Sequence, residues 1–276
     1  MLMRPCDGAP EISVAMGVCF LREDTRLLER AIDSVLGQSF ADFELLVCQN
    51  GSRPEAVELL MKKQSEDARV RLIDGGGAEK HAEKLNRCIA EARGRYIARM
   101  DDDDRSHRDR FARQKEYLDG HPETAFVGSF VNKYVDGELR GVWKLPEHPT
   151  AEDFFFVQPF IHPAVMFRRE ALEAVGGYSE QRRCSRCEDF DLMLRMYAAG
   201  MSGANIPDCL FDYSFSSDPK DRRGLRQRLD EAAVRFIRFR ELGALGRAWP
   251  YVIKPLAVGL MPRSLLKRMK EDRYGT

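Results

Sequence analysis

The chain has 276 residues, 43% of them hydrophobic and 32% charged, with 44 Lys/Arg against 44 Asp/Glu. That composition belongs to a globular protein able to bury a full core, and a zero formal charge gives no global reason to expect a nucleic-acid partner. No apolar run approaches the ~20 residues of a membrane-spanning helix, and the first residues lack the apolar stretch of a secretory leader.

The first half alternates between two kinds of segment. Residues 11–18 read as a strand, and 25–38 have helical spacing at Leu27, Leu28, Ala31, Ile32 and Val35. A short apolar run, 43–48, suits a buried strand and ends in the turn "QNGSRP"; 55–65 is helical, and 69–74 is a third strand stopped by three glycines. Residues 78–92 form another helix and 95–100 a fourth strand. Strands separated by helices of this length imply an α/β fold, with a mostly parallel, Rossmann-like sheet covered on both faces. The second half differs. Residues 124–146 read as two strands around "VDGE", 152–167 is aromatic and proline-broken and suits a cleft wall, and 188–200 and 221–240 are helices. Seven cysteines, an odd number, argue against a disulfide scaffold and for a reducing, cytoplasmic setting. Cys19 and Cys48 read as small core residues, and the CxxC of Cys184 and Cys187 lacks the second pair of a zinc site.

Four consecutive carboxylates, Asp101 to Asp104, follow the fourth strand. In open α/β sheets ligands bind outside the carboxyl ends of the strands, and "QNGS" and "DGGG" open onto the same edge. The triple glycine matches no phosphate-loop spacing and reads as a plain turn. One acid could cap a helix over 106–118. Four adjacent acids call for a counter-charge, which a divalent cation with bound phosphates supplies. Both readings fit the residues alone. Glu188 and Asp189, with Asp191, open a helix, where acids serve equally as helix-start residues or as groups with tuned basicity.

Five collinear pieces resemble the family 2 inverting glycosyltransferases, which have the GT-A fold and use nucleotide-diphosphate sugars. They are "ISVAMGVCF", "LLERAIDSVLGQSFADFELLVCQNGS", "LNRCIAEARGRYIARMDDDD", "FIHPAVMFRREALEAVGGYSE" and "CEDFDLMLRM". The resemblance implies that Asp101 and Asp103 are the ends of a DxD motif that engages Mn2+ or Mg2+. It implies that Asp189 is the catalytic base with Glu188 beside it. Gln49, Asn50, Asp74, Asn86, Arg99, Asp101 and Asp102 would bind the nucleotide-sugar, with a UDP-sugar the leading donor. His162 would face the acceptor, a glycan or lipid-linked hydroxyl, although a buried histidine satisfied by backbone is the alternative. Asp104 is then released to cap the next helix. The sequence departs from the family in two places: Gln49-Asn50 replaces a pair of acids, and "YSFSS" (213–217) lacks a late histidine. An enzyme that makes nucleotide-sugars, or a binding protein without turnover, are the rival functions.

The expected division is a transferase domain over 1–220, with a nucleotide-sugar half (11–104) and an acceptor half (105–220), and a basic helical tail over 221–276. The tail holds 14 Lys/Arg against 6 Asp/Glu, whereas residues 1–220 hold 30 against 38. It reads either as a packed helix or as an interfacial segment on an anionic membrane surface, with Trp249, Tyr251, Leu265, Leu266 and Met269 among Arg263, Lys267, Arg268 and Lys270.

Overall fold

The computed structural model describes residues 8–18, 25–215 and 224–260. Strands β1 (Ile12–Gly17), β2 (Phe43–Gln49), β3 (Val70–Asp74) and β4 (Tyr96–Met100) alternate with helices α1 (Thr25–Leu36), α2 (Pro54–Glu66) and α3 (His81–Glu91). They pair in parallel, with Val14 opposite both Leu45 and Ala98. Successive side chains of a strand point to opposite faces. Ala15, Leu46 and Cys48 therefore enter one core, while Val14, Met16, Leu45 and Val47 enter another packed beneath α1 and α2. Burial on both faces is why these strands are nearly unbroken apolar runs. Cys19 lies outside the described residues.

After β4 the chain passes through β5 (Arg105–Ser106), α4 (Arg110–Gly120) and the hairpin of β6 (Thr124–Val135) and β7 (Glu138–Trp143). Asp136 and Gly137 turn that hairpin with φ of 51° and 84°, the left-handed pair a tight two-residue loop requires. Next come α5 (Asp153–Phe156), a 3-10 turn at His162–Ala164, β8 (Met166–Arg168), α6 (Arg169–Ala174), α7 (Glu188–Ala198) and β9 (Ser202–Phe215). The nine strands form one sheet in the order β3-β2-β1-β4-β8-β6-β9-β5, with β7 on β6. Insertion of β8 antiparallel to β4 turns the parallel half into a mixed one.

One expectation needs correction. The helix expected from 106 begins at Arg110, because Ser106 pairs with Phe211 in the sheet. Asp104 is consequently five residues before the N-cap position, Asp109. Residues 225–260 pack against the domain, one of the two readings of the tail. Helices α8 (Leu225–Glu241) and α9 (Leu245–Leu260) put Phe239, Ala248 and Val252 into the same core as Phe154 and Phe190. Asp191, fully buried, is bound by Arg195 at 2.9 Å and by Arg238 of α8 at 2.8 Å.

Candidate active site

The four parallel strands end along one edge. Gln49 and Asp74 stand opposite each other at the tips of β2 and β3. Asn50 donates to the Ala78 carbonyl at 3.1 Å, and Asp74 accepts from the Gly76 N–H at 2.9 Å. A Cβ on Gly75 would lie 2.5 Å from the Gln49 carbonyl oxygen, so only glycine permits this close approach. The glycine run is therefore a compact turn that fixes the strand tips.

The acid turn follows Met100. Arg99 is almost fully buried, and its Nη2 donates to Asp101 Oδ1 at 2.5 Å. The same guanidinium reaches Nε2 of His81, the first residue of α3, and the Met100 carbonyl. Burial works against the charge of Asp101, but Arg99 beside it holds the carboxyl at about 2. Burial and Arg99 push His81 down to about 4, so its neutral ring accepts the guanidinium proton. Asp104 is fully buried, and its Oδ1 accepts from the Ser214 N–H at 2.7 Å, while its Oδ2 has no partner among the described residues. Burial, Asp101 and Asp103 push its carboxyl well above the ordinary range. The Asp103 carbonyl accepts from Arg30 at 2.7 Å and from the Ser214 hydroxyl at 2.9 Å. Three of the four adjacent acids are thus tolerated by unlike means. Asp101 is paired with Arg99, Asp104 favours its neutral form, and Asp103 stays partly exposed beside a cavity of about 450 Å³, while Asp102 lies buried between them.

Ser214 stands in the segment where the resemblance led one to look for a histidine. It holds the acid turn from the end of β9; Ser216 and Ser217 lie outside the described residues.

His162 is buried, with Nε2 2.6 Å from the Tyr178 hydroxyl. Burial and Arg99 push the ring well below its usual value, so it is a neutral imidazole that shares this hydrogen bond with the phenol. Its partner is thus a side chain, not backbone. Asn86 Oδ1 accepts from the Tyr178 N–H at 2.9 Å, and its Nδ2 donates to the Tyr178 carbonyl at 2.9 Å and to Glu180 at 2.8 Å. With its amide engaged in this way, Asn86 holds the loop that carries Tyr178.

Glu188 and Asp189 open α7. Asp189 Oδ2 accepts from Gln158 Nε2 at 2.9 Å and Oδ1 accepts from the Phe190 N–H at 2.8 Å. Burial and Asp189 push Glu188 up to about 7. Asp189, His162, Gln158, Tyr213, Trp143 and Phe156 line one cavity of about 360 Å³. A neighbouring cavity of about 630 Å³ shares Trp143, Phe156, Val157 and Gln158 with it. The aromatic stretch divides accordingly: Phe154, Phe155 and Phe160 enter the core, and Phe156 faces the cleft. Tyr213 lines the same cavity as Asp189, and its neighbour Ser214 holds the acid turn, so the end of β9 runs between the two groups of acids.

The sequence reading named the acids and His162 as candidates and did not single out His81, Gln158, Tyr178, Tyr213 or Ser214, which the fold sets beside them. Gln158 carried one signal, its place four residues before His162 in "QPFIH". His81 lay inside a helical pattern with nothing to mark it.

A parallel sheet edge bearing an acid turn, faced by two further acids at a helix start, defines a GT-A nucleotide-sugar glycosyltransferase. The profile of glycosyl transferase family 2 matches residues 17–176, and the chain belongs to that family. It is 30% identical over 268 residues to a Bacillus subtilis (strain 168) protein named "Putative glycosyltransferase EpsE", covering 97% of this chain and 95% of that one. It is 25% identical over 226 residues, 79% of each chain, to an Escherichia coli UDP-Gal:alpha-D-GlcNAc-diphosphoundecaprenol beta-1,3-galactosyltransferase. Among solved structures it resembles the mannosyltransferase PcManGT of Pyrobaculum calidifontis in complex with GDP-Man and Mn2+. That likeness has a TM-score of 0.60 at 17% identity, over 96% of this chain and 81% of the other. At that identity the likeness speaks for the fold alone.

Proposed function

We propose that this glycosyltransferase moves a sugar from a nucleotide-diphosphate donor, with a UDP-sugar the leading candidate, to a hydroxyl of a glycan or lipid-linked acceptor with inversion. The relative named for a UDP-Gal donor and a diphosphoundecaprenol-linked acceptor supports both choices, and a role in cell-surface polysaccharide or glycolipid synthesis. The observation that carries the reading is the cavity shared by Asp189, His162 and Tyr213, whose neighbour Ser214 binds the acid turn. A donor on the strand edge would present its anomeric carbon toward that cavity.

In this reading Asp189 takes the proton of the acceptor hydroxyl as that oxygen attacks the anomeric carbon. Gln158 orients the carboxylate. Glu188, raised to about 7, is partly protonated at neutral pH and keeps the pair from carrying two full charges. His162 lines the cavity as the wall against which the acceptor would rest, with Tyr178 buried behind it. Gln49, Asn50, Asp74, Arg99, Asp101 and Asp102 belong to the donor side. Because Asn50 is engaged in the 74–78 turn, recognition of the base falls to Gln49, whose amide offers both a donor and an acceptor.

Among the described residues no three His, Cys, Asp or Glu side chains are arranged to hold a metal ion. Two carboxylates in one turn still fit Mn2+ or Mg2+, since such ions take one or two carboxylates and complete their shell with phosphates and water. Asp103, partly exposed, is the proposed direct ligand, with Asp101 beside it. A bound ion would stabilise charge on the departing nucleotide diphosphate. The test is a panel of nucleotide-sugars scored by thermal stabilisation with and without Mn2+. Metal-dependent stabilisation by one nucleotide class supports the reading; no stabilisation by any member contradicts it.

A further inference from the structure

Helices α8 and α9 run back along each other, with Arg228 near the start of α8 donating to the Pro255 carbonyl in α9 at 3.0 Å. Their inner sides face the transferase domain. Arg235 donates to the Phe155 carbonyl at 3.0 Å, Arg238 binds Asp191, and Tyr251 packs its ring 5.8 Å from that of Phe155. The inward packing of Tyr251 removes it from the interfacial group expected from the sequence, and Leu265, Leu266, Met269 and the basic residues among them lie outside the described residues.

About half a turn away from those inner positions, each helix carries an apolar stripe. On α8 it is Leu225, Leu229 and Phe236; on α9 it is Trp249, Ile253 and Leu260. The spacing of four and then seven residues keeps each set in line along its helix. The least exposed of the six is Phe236 at 36% and the most exposed is Leu260 at 83%. The two packed helices thus each present an exposed apolar stripe, and exposed apolar surface of this kind marks an interaction site.

We infer that this face lies on an anionic membrane surface. Charge selects lipid as the occupant. Of the 7 Arg/Lys in residues 225–260, Arg228, Arg235, Arg238 and Lys254 bind inward and Arg247 pairs with Glu152. The 3 acids, Asp230, Glu231 and Glu241, are all in ion pairs, and the sequence after Leu260 adds 5 Arg/Lys against 2 Asp/Glu. Arg226 and Arg240 are exposed on α8. Apolar side chains bordered by cations suit the headgroup boundary of an anionic bilayer. No helix among the described residues is long and apolar enough to cross a membrane, so the contact is at the surface. The inner side of the same hairpin contributes Arg235 and Lys254 to the cavity that holds Asp189. Resting the outer side on lipid therefore brings the cavity close to a lipid-linked acceptor, a clause that rests on the function proposed above.

Removing residues after 242 is an unsuitable test, because α9 buries Ala248 and Val252 in the core. Point changes on the exposed stripes avoid this. The full chain is sedimented with phosphatidylglycerol–phosphatidylcholine vesicles and with phosphatidylcholine alone, at low and high salt. Expected are binding to the anionic vesicles, partial loss with salt, and a fall of at least about tenfold in partitioning for Trp249→Ser with Ile253→Ser. Leu229→Ser with Phe236→Ser should repeat the loss, and thermal unfolding should show each variant folded. Wild-type protein that ignores anionic vesicles, or folded variants that bind as well as wild type, would overturn the inference. So would a dimer abolished by the same changes without vesicle binding, since the face would then join two copies. Because vesicle binding is read without turnover, its failure leaves the proposed reaction to be judged separately.

Discussion

Gln158 donates from Nε2 to Asp189 Oδ2 at 2.9 Å, across 31 residues of sequence. This bond ties the start of α7 to the segment around residues 156–163, which lines the same cavity as Asp189. With Oδ1 held by the Phe190 N–H, the carboxylate has one orientation. Replacing Gln158 by Leu should lower kcat roughly 10–100-fold, the scale of a misplaced catalytic group, with KM for the donor nearly unchanged. Steady-state kinetics separate the two terms; a change confined to donor KM would place Gln158 on the donor side.

Glu188 sets a pH dependence of stability. Its carboxyl is raised from 4.5 to about 7 by burial and by Asp189. Between those values the folded state holds more protons than the unfolded one, so stability falls as pH rises through the window. Glu188→Gln removes the cost of ionisation and should stabilise the protein at pH 8 by roughly 1–3 kcal/mol, with little of that gain at pH 5. Urea unfolding at both pH values checks this. An equal change at both would mean that the Glu188 charge is compensated in the folded state.

Glu44 has the opposite sign. It is 2% exposed and accepts from Ser13 at 2.7 Å, from Arg71 at 2.6 Å and from Arg93 at 2.7 Å, tying β1 and β2 to the end of α3. Burial opposes its charge, yet Arg93, Ser13 and Arg71 hold it at about 2. Its contribution is present above 4.5 and lost as pH falls through about 2. Glu44→Gln should cost roughly 2–4 kcal/mol at pH 7, because two arginines lose their buried partner. Denaturant unfolding at pH 7 reads the value, and a cost below ~0.5 kcal/mol would contradict the network's importance.

Asp103→Asn tests the metal assignment. The side chain is partly exposed, so the variant should keep its unfolding midpoint. It should lose Mn2+-dependent stabilisation by the nucleotide and all measurable transfer. Retained metal-dependent binding would shift the ligand role to a neighbour.

The parallel half of the sheet was legible because β1, β2 and β4 are buried on both faces and each ends at or next to a glycine or polar residue. Strand β9 was not. It contains Pro207, and its register against β6 slips where Ser129 meets Ile206 and Phe130 meets Cys209, so no alternation survives in the sequence. Helix α9 holds Pro250 and Pro255, which read as breaks. In the site, the acids were legible as an unusual density of charge. Their partners were not, since Arg99 and His81 meet across 18 residues and Asn86 and Tyr178 across 92. Contacts of that kind are made by topology and leave no local pattern.

The central claim, that Asp189 removes the acceptor proton, is tested most directly by single-turnover transfer with Asp189→Asn. The account predicts a chemical rate lower by ~10²–10⁴, the range for loss of a general base, with donor affinity nearly unchanged. A collapse of donor affinity with the chemical rate preserved would contradict it, and would move Asp189 to the donor site.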